Sequence, residues 1–466
     1  MPKLKKCRQQ HLLKFWTELD DIQKADLLSQ LEKLDVKKIS GWIDKYVKNQ
    51  EPLKIPSDFQ PASSYPVQPK DDQQAEKYQQ ARRLGRELLG KGKVAGFVVA
   101  GGQGTRLGFD GPKGNFPISP VKKKTLFRIF GETLLAASKK YQTELPWYIM
   151  TSPVNYAQTC QIFEEENYFG IDKKNIVIFR QGTMPNFSFD GKILLADKFT
   201  LASSPDGHGG SLKAIADSGA LEDMKRRGVE YLSYWQVDNP LVNLFDALFI
   251  GLHALDESEM SSKALIKANA AEKVGNFCAV DGRVTVIEYS DLPDQQAHRQ
   301  NPDGSLVFEL GSIGIHIIST SFIDKLNAKG DFAIPFHRAV KKIPYIDNDG
   351  NYVEPAKPNG VKLEAFVFDA LPLAKNSIIL QTLRSQEFAP VKNAAGADSA
   401  EVTYAMMIER AADWLKNTGV KIPLKPDGSA DCVIEIAPSF ALSPEDLQAK
   451  ADKIPPISPG DKVYLA

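Results

Sequence analysis

Cysteine is scarce in this chain. Cys7, Cys160, Cys278 and Cys432 are scattered through 466 residues, with no CxxC pair and no histidine at zinc spacing. That removes a disulfide framework and a structural zinc site, and predicts reduced thiols in a cytoplasmic protein. Excess charge is also missing. Lys+Arg and Asp+Glu both number 58, so neither nucleic acid nor a membrane surface is expected as a partner. No apolar stretch approaches the roughly 20 residues of a membrane span. The basic N-terminus, MPKLKKCRQQHLLKFW, lacks the apolar run of a secretory signal. Internal repeats and low-complexity runs are absent.

What is present is an ordinary globular composition on a chain long enough for a substantial core and about three structural units. Apolar residues at helical spacing (Leu12, Phe15, Trp16, Leu19, then Leu27, Leu28, Leu31, Leu34) predict a packed helical appendage. Pro52, Pro56, Pro61, Pro66 and Pro69 predict an extended connector, with helix resuming over 71–89. From Lys93 short apolar runs at 94–100, 147–151, 176–179, 231–237 and 263–268 alternate with helical patterns such as 126–139 and 212–227. That alternation predicts an α/β unit around a mixed, mostly parallel sheet covered on both faces, with ligands at the carboxyl ends of its strands. After about Ser385 a helix over 402–417 and a strand over 433–437 suggest a small final domain. The expected division is 1–90, 91–385 and 386–466.

The strongest chemical signal is the strand that runs into Gly101, Gly102, Gly104 and Gly108, followed by Pro112-Lys113-Gly114. Glycines let backbone N–H groups turn toward an anion, and Arg106 and Lys113 stand where cations would meet a triphosphate. A tight turn alone would need fewer glycines. Two commoner phosphate motifs fail on spacing. The dinucleotide fingerprint would need a glycine where Leu107 stands, and the near-Walker run from Gly85 to Gly90-Lys91 ends in Gly92 within a helical pattern.

The pair GGQGTRLG (101–108) and PKG (112–114) resembles the signature of the UDP-N-acetylhexosamine pyrophosphorylase family, within the wider UDP-sugar pyrophosphorylases. The resemblance runs from HLLKFW to PVKNA through RQGTMPNFSFDGKI, PDGHGG, VDNPLV, IEYSDL, PFHRAVKKIPY and KPNGVKLEAFVFD in one order. It implies a nucleotide-diphospho-sugar transferase-like, Rossmann-like central domain with helical N-terminal and small C-terminal domains. It also implies the reaction of UTP with a sugar 1-phosphate to give a UDP-sugar and pyrophosphate. Such a site must align two anions and neutralise charge, with little covalent chemistry of its own.

By the resemblance, Gly101, Gly102 and Gly104 face the nucleotide, and Arg106 and Lys113 contact the triphosphate. Gln181 reads uracil, as a primary amide can, and Gly207 touches the base through its backbone. Asp238, at the end of the 231–237 strand, matches the carboxylate that holds Mg²⁺, with a cap on the next helix as the lesser alternative. Asp369 is a weaker second candidate, at the end of a strand expected over 365–368. Lys362 and Lys392 match lysines that approach phosphate. Phe366 and Phe368, expected to alternate on that strand, serve core or sugar pocket equally well. Glu288 is retained on the sugar side. His208 and Ser312 stand where N-acetylglucosamine enzymes show Asn, so unacetylated glucose- or galactose-type 1-phosphates become candidate substrates. Two other functions share the fold: a non-catalytic UDP-sugar-binding protein and a glycosyltransferase that consumes a UDP-sugar. The retained cations and Asp238 argue against the first, and the glycine–PKG pair against the second.

Overall fold

In the computed structural model, which describes residues 2–49, 58–328 and 332–466, contacts group the chain by proximity and not by linear order. One compact unit gathers Met1–Pro56, Gln181–Lys213 and Phe332–Ala370; the other gathers Ser57–Arg180, Ala214–Asp331 and Leu371–Ala466.

The larger unit is built on a ten-stranded mixed sheet. Its parallel core is Tyr231–Gln236, Val94–Val99, Trp147–Thr151 and Ile176–Arg180, in that spatial order. These are four of the five apolar runs expected to be strands; the fifth, 263–268, overlaps strand Met260–Ile266. Of the four, the three inner ones are almost wholly buried, as strands of a sheet covered on both faces should be, while the outermost, Ile176–Arg180, is half-buried. Leu310–Ser319 runs antiparallel beside Tyr231–Gln236 and pairs in turn with Met260–Ile266 and Gly275–Val280. The described part of the proline-rich connector is extended as expected. Gln60–Pro61 pairs with Cys278 and Ala279 at the sheet edge, where a missing proline donor costs nothing. Pro52 and Pro56 lie outside the described residues.

Helix Asp72–Gly90 contains the near-Walker run, which is therefore not a phosphate loop. Its Gly85 has a packing reason instead. A Cβ there would sit 1.9 Å from the Ala247 carbonyl oxygen, and a Cβ on Gly251 would sit 1.8 Å from that of Ala81. The helices Asp72–Gly90 and Ala247–Leu255 thus cross backbone against backbone. The pattern over 212–227 is two helices, Ser211–Asp217 and Ala220–Arg227, broken where Gly219 takes φ +80°. Near the C-terminus, helix Ala400–Asn417 packs on the parallel pair Val433–Ile436 and Lys462–Leu465 around Ala412, Leu415, Ile434 and Leu447. All four cysteines are free, and no helix among the described residues is long and apolar enough to cross a membrane.

The smaller unit carries a three-stranded antiparallel sheet, His337–Lys341, Gly360–Glu364 and Phe187–Ser188. Leu12, Leu27 and Ile39 pack with Phe187, Ile193, Val361 and Leu363 in its core. Of the N-terminal apolar residues, Leu12, Phe15, Leu19 and Leu27 are buried as expected, Trp16, Leu31 and Leu34 are half-buried and Leu28 is exposed, and they do not lie on one continuous helix. Residues 10–18 form two short 3₁₀ turns, and helices Asp21–Lys33 and Val36–Trp42 follow.

Candidate active site

In the larger unit, Gln236 lies in register with Val99 on neighbouring parallel strands, and Val237 N–H donates to Val99 O at 3.1 Å. The two chains leave the sheet side by side, one into Gly101–Gly102 and the other into Asp238. The glycine loop is braced from within: Gly104 N–H donates to Gly111 O and Lys113 N–H to Gly102 O, at 2.9 and 3.0 Å. Asn155 Nδ2, at the start of helix Tyr156–Glu165, holds the carbonyls of Ala100 and Gly102. Those bonds fix the loop's carbonyls. The N–H groups of Gly101, Gly102 and Gln103 donate to no backbone carbonyl among the described residues, and so remain for an anion. The Lys113 stem passes Gly102, with Cε 3.9 Å from where a Cβ would be. Neither Lys113 nor the exposed Arg106 makes an ion pair with a described residue.

Asp238 is 9% exposed, and its carboxylate has no ion pair or hydrogen bond among the described residues. A carboxylate with no protein partner at the carboxyl end of a strand is open to a cation. That donor chemistry fits Mg²⁺, which takes one or two carboxylates and fills its shell with phosphate oxygens and water. No larger cluster of His, Cys, Asp or Glu gathers among the described residues. The Asp238 carbonyl accepts Val391 N–H at 2.8 Å. Asn239 bridges the same neighbour, donating to Glu387 O at 2.7 Å and accepting from Ala389 N–H at 3.1 Å. Glu387 in turn is paired at 2.5 Å with Lys263, whose ammonium also meets Asp246 at 2.7 Å. Burial alone would lower the Lys263 pKa, but the two carboxylates outweigh it and raise it. This network brings Lys392 next to Asp238 in the fold. Lys392 itself lies 3.6 Å from Asp398. Glu288 and Ser312 meet around Gly275: a Cβ there would be 3.7 Å from Ser312 Cβ and 3.8 Å from Glu288 Oε1.

The smaller unit brings together Gln181, Gly207, His208, Phe366, Phe368 and Asp369. Gly207 has φ +86°, and a Cβ would strike the Ala365 carbonyl oxygen at 2.3 Å, so only glycine passes here. Gln181 Nε2 donates to Asp206 Oδ1 at 3.0 Å and to Gly207 O at 2.8 Å. Both amide hydrogens are taken, which leaves the carbonyl oxygen as the group offered outward. His208 Nδ1 accepts Val367 N–H at 3.2 Å. Burial pushes the imidazole pKa down to about 4, against a smaller opposing pull from Glu364. His208 is therefore neutral, and its free nitrogen is an N–H donor.

Residues 365–368 are not a strand, which corrects the expectation for Phe366, Phe368 and Asp369. The strand ends at Glu364, and Val367–Leu373 is a 3₁₀ turn. Ala365 N–H is taken by Asp206 O and Val367 N–H by His208, so neither is available to a strand partner. The phenyl rings of Phe366 and Phe368 do not alternate; both lie against His208, at 5.3 and 5.8 Å between centroids. Asp369 accepts from His337 Nε2 at 2.7 Å. Lys362 is paired with Glu364 at 2.7 Å. Sequence reading missed Asn155, Asp206 and His337. Asn155 had a signal, as a polar residue opening a helix; the other two are recognisable only through partners far along the chain.

Comparison with known proteins follows the same line. Residues 43–465 match the family model described as UTP–glucose-1-phosphate uridylyltransferase. A human UDP-N-acetylhexosamine pyrophosphorylase-like protein 1 is 36% identical over 96% of this chain and 93% of its own. The UDP-N-acetylglucosamine pyrophosphorylase of Saccharomyces cerevisiae is 34% identical over 96% and 95%. The crystal structure of the Trypanosoma brucei uridine diphosphate N-acetylglucosamine pyrophosphorylase, 24% identical, superposes with a TM-score of 0.82 over 100% of this chain and 97% of its own.

Proposed function

This chain belongs to the UTP–glucose-1-phosphate uridylyltransferase family and is a nucleotidyltransferase, and from that premise we propose that it joins UTP to a hexose 1-phosphate without strong preference between the N-acetylglucosamine and the glucose or galactose type. The observation that carries the nucleotide part is the glycine loop whose free N–H groups, with unpaired Arg106 and Lys113, leave the sheet beside Asp238. The sugar part rests on His208 and Ser312.

An oxygen of the sugar phosphate attacks the α-phosphorus in line, and pyrophosphate leaves. The loop amides of Gly101 and Gly102 hold the triphosphate, and Arg106 and Lys113 neutralise the charge that accumulates on the departing pyrophosphate. In the larger unit Lys392 is a further candidate cation for phosphate; in the smaller unit Lys362 is one, once it releases Glu364. Asp238 is the residue that would hold Mg²⁺, which when bound screens the phosphate charge and favours attack at phosphorus. Gln181 offers its carbonyl oxygen to the N3–H of uracil. For the sugar, Glu288 and Ser312 are the candidate contacts in the larger unit and His208 is the candidate in the smaller. Incubation with UTP and a panel of sugar 1-phosphates, read as pyrophosphate release, tests the reading; no release with any of them rejects it.

A further inference from the structure

We propose that His337 is a positioning residue for sugar recognition, holding Phe366 in the plane on which His208 presents its N–H donor. This rests on the reading of His208 as a sugar contact. His337 is mounted on the strand His337–Lys341, opposite Glu364, whose strand leads directly into Phe366. Its Nε2 donates to Asp369 Oδ2 at 2.7 Å, which fixes the imidazole at its far edge. Phe366 stacks on that ring, with centroids 4.3 Å apart and planes 28° apart. His208 stacks on Phe366 in turn, at 5.3 Å and 14°. Phe368 closes the group from the side, tilted 45° to Phe366 and 59° to His208. A phenyl ring turns broadly about its last torsion unless neighbours hold it. Here the hold begins at Asp369 and is passed by stacking to His208, whose Nδ1 is independently tied to Val367 N–H.

A purely packing role does not account for the residue types. The His337 and Asp369 side chains are 13% and 16% exposed. An aliphatic pair would cover Phe366 without desolvating a carboxylate. What the polar pair adds is direction: the hydrogen bond sets the plane of the imidazole, and that plane sets the next two.

The test is steady-state kinetics on the full chain with UTP and either N-acetylglucosamine 1-phosphate or glucose 1-phosphate. His337→Ala is expected to raise KM for the sugar 1-phosphate roughly 2- to 12-fold, the factor that an aromatic pair is worth. It should also shift the ratio of kcat/KM between the two sugars, with KM for UTP and kcat changed by less than about twofold. His337→Phe restores the stack and should recover most of the sugar KM. Asp369→Asn keeps every ring and should shift KM in the same direction by less. Unchanged sugar KM and ratio in His337→Ala, or an equal rise in both KM values, overturns the proposal. Should His337→Ala not fold, Asp369→Asn decides on the same readings. His208→Ala separates the two levels. If it leaves sugar KM and ratio untouched, the sugar-side reading itself fails; if it moves them while His337→Ala does not, only the positioning role fails.

Discussion

Val391 donates its backbone N–H to the carbonyl oxygen of Asp238 at 2.8 Å, so the segment that carries Lys392 is fastened to the residue with the unpartnered carboxylate. The proposed metal-binding group and the proposed phosphate-binding group thus share one backbone contact.

Asp238→Asn is expected to lower turnover at least ~100-fold at saturating Mg²⁺, the scale on which removing one central electrostatic element acts. The fold should survive, because the Val391 bond uses the backbone and not the side chain. Full activity in that variant would remove Asp238 from the reaction.

Arg106→Gln and Lys113→Gln each remove a cation that has no ion pair among the described residues, so stability has little to lose. The expected outcome is a fall in kcat/KM for UTP with a melting temperature close to that of the parent protein. Native melting together with native kinetics would make both residues ordinary solvated charges.

Gln181 should reject CTP. Its amide hydrogens are occupied by Asp206 and Gly207, so in the proposed role its carbonyl oxygen would meet a donor at N3 of uracil and an acceptor at N3 of cytosine. A site built to pair one pattern leaves the other unsatisfied. Asp206→Asn frees the amide to turn over, and the UTP-to-CTP ratio of kcat/KM should shrink. Equal kcat/KM for UTP and CTP in the parent protein would contradict the assignment.

The sugar preference should be small in the parent protein and movable. One hydrogen bond to a buried group changes discrimination by roughly 1–3 kcal/mol, or about 5- to 150-fold. His208→Asn with Ser312→Asn is expected to shift kcat/KM toward N-acetylglucosamine 1-phosphate relative to glucose 1-phosphate. A parent preference above about tenfold for the acetylated sugar would show that neither residue rebuilt the pocket, and an unmoved ratio in the double variant would place selectivity elsewhere.

Stability should fall as the solution is acidified below about pH 6.5. Burial holds His208 at about 4 and His253 at about 3, while in the unfolded chain both titrate near 6.5. Between those limits the unfolded state binds protons that the folded state does not, so its relative free energy drops as pH falls, by up to roughly 1.4 kcal/mol per pH unit for each histidine. Above about pH 6.5 neither contributes. Urea midpoints at pH 7.5 and 5.0 measure the slope, and His253→Gln should flatten it. An identical slope in the variant would locate the acid sensitivity in other groups.

The parallel strands and the glycine loop were legible because each announces itself within a few residues: a short apolar run, a cluster of glycines, an acid at a strand end. The segment around Phe366 was not. AFVF has the composition of a strand, but its N–H groups are claimed by Asp206 and His208, over 150 residues earlier in the chain. The same distance hid the orientation of Gln181, since the amide alone does not say which of its two ends Asp206 will hold. Residues 10–18 showed that they would be buried but not in what shape, because spacing over a few residues fits a helix and a pair of 3₁₀ turns equally well.

The smaller unit is assembled from Met1–Pro56, Gln181–Lys213 and Phe332–Ala370, and that division sets a timetable for the nascent chain. Leu12, Phe15, Leu27 and Ile39 are made first, yet the core they enter includes Phe187 and Ile193 and is completed by Val361 and Leu363. At about 5–20 residues per second, the ribosome leaves those apolar side chains waiting for tens of seconds before their last partners emerge. The parallel core strands, all made between Val94 and Gln236, can meet earlier. The segment synthesised first is therefore among the last to find its place, and in the interval it is the part of the molecule that a holding chaperone would cover.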